Sequence, residues 1–165
     1  ADRHNGIWQN QSAEDMLYLT FIQSWTAMNP LCESVTTGTT GELLVQLRLF
    51  QYKVQAAPPL KDSGNDLIAV RGEDFKAVQV KTTGQEDGRW QLPDEKEYHI
   101  LALVRLAGEG IDLHLDESDV YLVNRDLAES DEFNIQDPSG HEISEGVVDQ
   151  LFPSSKSSPP VASEA

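Results

Sequence analysis

Ser63-Gly64-Asn65-Asp66-Leu67-Ile68-Ala69-Val70 and, after a tight turn at Arg71–Asp74, Phe75-Lys76-Ala77-Val78-Gln79-Val80-Lys81-Thr82 form the stretch on which the reading of the chain turns. Both runs are rich in β-branched and apolar residues, and Gly64 and Gly72 punctuate them, so the pair predicts a β-hairpin. Successive side chains of a strand point to opposite faces. Val78 and Val80 therefore face the core, and Gln79 and Lys81 share the other side. An antiparallel partner that begins at Asp66 brings its carboxylate beside Gln79. An acid, an amide oxygen and an ammonium group then meet at the end of one sheet.

Those groups suit phosphodiester hydrolysis. A hard cation such as Mg²⁺ takes oxygen ligands in octahedral geometry and keeps several waters. One carboxylate (Asp66), one amide oxygen (Gln79) and one backbone carbonyl (Val80) meet that need. The metal would lower the pKa of a bound water, and Lys81 would position that water or stabilise charge on the phosphate. Glu42, upstream, is the candidate second carboxylate.

Working outward, Gly41–Phe50 reads GELLVQLRLF, apolar nearly all round, and predicts a buried helix with Glu42 and Gln46 on one face. Thr36–Thr40, with Gly38, reads as a loop whose last threonine caps that helix. Further strands are expected at Tyr52–Ala56, Tyr98–Leu106 and Val120–Val123, the last two joined through Ile111–Leu115. Ile143–Phe152 reads as a closing helix. Upstream, Gln11–Met28 carries Met16, Leu17, Leu19, Phe21, Ile22 and Trp25 in an amphipathic helical pattern. Ser154–Ala165 is Ser/Pro-rich and is expected to be disordered. The organisation expected is an N-terminal helical extension (1–38), one α/β domain (39–152) and a tail (153–165).

The strings Gly-Asn-Asp-Leu-Ile and Val-Gln-Val-Lys-Thr, preceded by a helix-borne Glu, resemble those of the PD-(D/E)XK, or restriction-endonuclease-like, nuclease superfamily, and in particular a bacterial and phage group of small nuclease domains. The resemblance covers roughly 40–125. It implies a mixed four- to five-stranded sheet flanked by helices, with Asp66 as the metal-binding acid, Gln79 in the second acid's place and Lys81 as the catalytic lysine. It implies Mg²⁺ or Mn²⁺ as cofactor and DNA as substrate. Two departures stand out. Asn65 replaces the proline of the family's name, and a neutral glutamine replaces the second acid. The helix that usually crosses between the strands ending at Lys81 and beginning at Tyr98 is interrupted here by Gly84, Gly88 and Pro93.

Charge bears on this reading. The 165-residue chain has a formal net charge of -16. One cation stands against four acids in Ala1–Thr40, ten against fifteen in Gly41–Arg125 and one against nine in Asp126–Ala165, or -3, -5 and -8. No basic stripe for phosphates is visible. Weak duplex binding follows, and with it a need for self-association, a basic partner protein or a distorted or flapped substrate. A catalytically inactive nuclease-fold interaction module in a defence or mobile-element system is the alternative, and an acidic DNA mimic that inhibits a basic nuclease is a third. The lone Cys32 excludes a disulfide framework and a thiolate zinc cluster. The four histidines are scattered. With no long apolar run and no signal-like start, a soluble cytoplasmic protein without membrane contact is expected.

Plainer readings compete residue by residue. Asp66 and Lys81 across a hairpin describe an ordinary surface ion pair. Glu42 in a first helical turn favours the macrodipole whatever the protein does. Asp62 fits a turn, and Asp112, Asp116 and Asp119 fit a solvated hairpin turn better than a calcium loop. The three tryptophans are read as core or rim.

Overall fold

The computed structural model describes residues 32–60, 64–84, 89–92, 97–108 and 112–153. Nearly all of them belong to one compact unit, Ser34–Ala165. The amphipathic segment Gln11–Met28, Asp62 and the Ser/Pro-rich tail lie outside the described residues.

Helix α1 spans Glu33–Gln51, so the stretch read as a loop with a Thr40 cap is helical. The residues responsible have poor intrinsic helix propensity, and packing overrides it. Gly41 is buried against Thr82, where a side-chain Cβ would lie 2.8 Å from Thr82 Cβ and closer still to its Oγ1. The glycine permits close approach of helix and sheet. Nor is α1 buried all round. Leu44, Val45 and Leu49 form the inward stripe, whereas Leu43, Leu47 and Phe50 are exposed. The helix ends with Lys53 in the left-handed region at φ 62°.

Five strands follow: β1 Gln55–Ala57, β2 Leu67–Arg71, β3 Asp74–Thr83, β4 Ile100–Ala107 and β5 His114–Asn124. They form a single sheet in the order β1-β2-β3-β4-β5. The first three are an antiparallel meander, β4 runs parallel to β3, and β5 is antiparallel to β4. The expected hairpin is present, with Leu67 opposite Val78 and Arg71 opposite Asp74. Two expectations shift. Residues 52–53 form the turn out of α1, so β1 begins only at Gln55. Asp116 and Asp119 lie within β5, not in a turn, because its exposed first half still pairs with β4 as far as Ala107 opposite His114. A bulge between Arg105 and Ala107 accommodates this, with Ser118 Oγ accepting the Ala107 N–H at 2.9 Å.

The sheet is covered on both faces. On one, Leu44, Val45 and Leu49 of α1 pack with Leu67, Val78, Val80, Ile100 and Leu122. Helix α3, Glu145–Leu151, closes that face with Val148, followed by Phe152. On the other face Trp90, Tyr98, Leu101, Leu103, Tyr121 and Val123 pack with Ala128 of the short helix α2, Arg125–Ala128. Strand β4 is thus buried on both sides, which explains its nearly unbroken apolar run, ILALVRLA. Each large side chain so buried contributes about 1.5–3 kcal/mol relative to exposure. The sheet is therefore a mixed five-stranded one flanked by helices. No helix among the described residues is long and apolar enough to cross a membrane.

Gly41→Ala is expected to destabilise the fold by about 1–3 kcal/mol through overpacking. Combining it with Thr82→Gly should recover part of that loss, a coupling readable from urea midpoints in a double-mutant cycle. Simple additivity of the two changes would show that the contact does not limit helix placement.

Candidate active site

The sheet gathers the polar groups where β2 begins. The Asp66 N–H donates to Val78 O at 3.1 Å. Beyond that point the Asp66 side chain replaces the missing strand: its Oδ2 accepts the Val80 N–H at 2.7 Å and the Gln79 side-chain amide. One carboxylate oxygen therefore ends β2 and fastens it to β3.

Gln79, in the middle of β3, is only 2% exposed. Its Nε2 must face Asp66, because an amide oxygen there would oppose a carboxylate oxygen. Oε1 is left buried with no hydrogen-bond partner. Leaving a buried acceptor unsatisfied costs about 1–3 kcal/mol, and such an atom calls for a donor or a cation.

Glu42 is the tenth residue of α1, since the helix begins at Glu33. It is outside the first turn, and the macrodipole explanation falls. Half-buried, it has its pKa raised above the ordinary 4.5, first by burial and second by the negative charge of Asp66. The two carboxylates therefore feel each other across the helix–sheet boundary. Lys81 is half-buried, on the same strand face as Gln79 and opposite Leu103 of β4 in parallel register. Among the described residues the ion pairs are Arg71–Asp149, His114–Glu117 and Arg125–Glu129. The expected surface pair between Asp66 and Lys81 is not formed, because Asp66 turns to the backbone and Gln79. Val80 gives its N–H to Asp66 and its side chain to the core.

Glu42, Asp66 and Gln79 supply oxygen donors only, which fits Mg²⁺ or Mn²⁺ better than a softer metal. No group of three His, Cys, Asp or Glu side chains suited to a metal exists among the described residues. The set here consists of two acids, with an amide in the third place. A cation bound there would relieve both the unpartnered Gln79 Oε1 and the repulsion between Glu42 and Asp66.

Sequence reasoning assigned nothing to Arg105. Its guanidinium lies 4.5 Å from the Trp90 ring centroid, and its Nε is buried without a partner. Trp90 is itself held by donating Nε1–H to Val104 O at 3.2 Å and accepting from Gln136 Nε2 at 2.8 Å. Arg105 follows Leu103 by two residues and so shares the sheet face of Lys81. The one available signal was a charge inside an otherwise apolar strand. No protein-family model, curated protein or solved structure matches this chain.

The raised pKa fixes a sign. The folded state holds the Glu42 proton more tightly than the unfolded chain does, so stability is present below the ordinary 4.5 and is lost as pH rises through the folded value. Measured in EDTA, Glu42→Gln should raise the thermal midpoint at about pH 7 and leave it unchanged below roughly pH 4. A variant no more stable than wild type at the higher pH would separate Glu42 from the crowded pair.

Proposed function

We propose that this chain is a divalent-metal-dependent endonuclease that hydrolyses DNA phosphodiester bonds on a restriction-endonuclease-like fold. The observation that carries the proposal is the buried, unpartnered Oε1 of Gln79 beside the Asp66 carboxylate. Glu42 lies within the field of that carboxylate, and Lys81, on the strand face of Gln79, takes part in none of the ion pairs among the described residues. The mixed five-stranded sheet with flanking helices agrees with what the PD-(D/E)XK resemblance implies. The sheet is mixed because β4 runs parallel to β3. Among the described residues of the β3–β4 connection, 89–92 and 97–99, none is helical.

Asp66, Gln79, Glu42 and the Val80 carbonyl would hold Mg²⁺ or Mn²⁺. When bound, the cation supplies Lewis acidity at the phosphate. Lys81 sets a positive charge where the phosphoryl oxygens gain negative charge, and such preorganised charge is worth more in a water-poor site than in bulk water. Glu42, close enough to Asp66 to feel its charge, would serve as the second carboxylate or orient a metal-bound water. In the overall step the water oxygen bonds to phosphorus, one ester P–O bond breaks and the leaving oxygen is protonated.

The alternative reading, a silent nuclease-fold interaction module, draws on a different observation. Asp66 Oδ2 already has two donors, and Gln79 is almost sealed from solvent. Cleavage separates the two. Wild type is expected to cut DNA in Mg²⁺ or Mn²⁺ and not in EDTA, and Lys81→Ala and Asp66→Ala to lose roughly 10²–10³-fold in rate. Asp66→Ala should also lose Mn²⁺ binding. An inert wild type whose metal affinity ignores Asp66→Ala would give the site to the silent module.

A further inference from the structure

Where the ends of β3, β4 and β5 meet the last turn of α3, the surface opens into a cleft of about 670 Å³. Lys76, His99 and Arg125 line it, together with Asn65 and Gln150. Two of these residues are held in place. The Ala77 N–H donates to His99 Nδ1 at 2.9 Å, which leaves the ring's proton on Nε2. Arg125 donates from Nε to Glu129 Oε1 at 2.8 Å, and its guanidinium lies 5.5 Å from the Tyr98 ring centroid, so its Nη donors remain for a ligand. Lys76 takes part in none of the ion pairs among the described residues. Asn65 Oδ1 is buried without a partner. Glu97 and Asp126 line the same cleft, both exposed.

The volume is that of a small-molecule site, ~300–1,000 Å³. Duplex DNA carries one charge per ~1.7 Å of axis and asks for a long basic track. Twelve cations against 28 acids work against such a track. Two cations, Lys76 and Arg125, and the His99 Nε2–H in one recess match a phosphate or two instead. The mixed donors and acceptors around them suit a base and a sugar.

We propose that this cleft binds one or two unpaired nucleotides of a nucleic-acid strand. Lys76, His99 and Arg125 take the phosphate, and the Asn65 and Gln150 amides meet the base. The inference rests on the nuclease reading, because Asn65 directly precedes Asp66 and Ala77 shares its strand face with Gln79. It assigns the enzyme to unpaired strand ends, flaps or gaps in preference to intact duplex. The acids Glu97 and Asp126 reinforce the preference by repelling a second run of phosphates and accepting from sugar hydroxyls or base amino groups.

The test is a calorimetric titration of 5′-phosphorylated dithymidylate into the full chain in EDTA, with inorganic phosphate and a blunt duplex as competitors. Saturable binding is expected, about tenfold weaker in Lys76→Ala, weakened several-fold in Gln150→Ala and displaced poorly by duplex. Gln150 is exposed, so its variant decides the matter should Lys76→Ala unfold. Absence of saturable binding, binding that ignores both variants, or inorganic phosphate binding as tightly as the dinucleotide would overturn the proposal. A wild type that binds the dinucleotide through Lys76 yet cuts no DNA keeps the cleft and removes the nuclease. One that cuts duplex without binding the dinucleotide does the reverse.

Discussion

Strand β3 is paired along both edges, antiparallel to β2 and parallel to β4, and that double pairing governs the rest of the molecule. A central strand offers water no access to its backbone, so each N–H needs a partner within the protein. At Val80 the partner strand β2 has already ended, and the Asp66 carboxylate takes its place. The acid is thus structural before it is chemical. It terminates one strand, aligns the next and draws the Gln79 amide toward itself. Parallel pairing of β4 with the far edge of β3 then sets Leu101 and Leu103 beside Gln79 and Lys81. The polar pair is backed by one of the driest parts of the sheet.

Electrostatics follow from that placement. An acidic chain gains nothing from bringing two carboxylates together in partial burial, and the raised pKa of Glu42 records the cost. Stability alone would favour an apolar residue at position 42, since α1 already carries leucines and valines on its inward stripe. Like charges kept close at a helix–sheet junction are a usual feature of cation sites and of catalytic acid pairs. Two plainer explanations fall. Glu42 is too far along α1 to serve the helix dipole, and Asp66 forms no ion pair with Lys81.

The legible parts of the fold were those with strong local signals. The β2–β3 hairpin followed from alternation and a glycine turn, β4 from its apolar run, and α3 from its place after Ser144, which caps it through Val147 N–H. The Thr36–Thr40 stretch was misread because local propensity argues against a helix there. What holds it helical is Gly41 against Thr82, a contact between residues forty-one positions apart. The first half of β5 was misread for a related reason: its exposed acids look like a turn, and only the ladder to β4 and the bulge handled by Ser118 make them a strand. Within the candidate site, Asp66, Gln79 and Lys81 were legible from strand alternation. The stacking of Arg105 on Trp90 was not, since it depends on where the β3–β4 connection lies over the sheet.

Gln79 reconciles the structural role of Asp66 with the cation site proposed for it. A glutamate at 79 would set a third acid beside Asp66 and Glu42 in a place only 2% exposed, and without a cation the repulsion would bear on the same junction that ends β2. A glutamine donates to Asp66 instead, so the carboxylate has a partner within the protein and the hairpin is held without a cation. An amide binds a cation less strongly than a carboxylate does, so in the proposed site glutamine would exchange metal affinity for a junction already assembled without it. Such a site would lose little order on losing a cation, and its occupancy would follow the ambient concentration of Mg²⁺ or Mn²⁺ more than the folding of the domain.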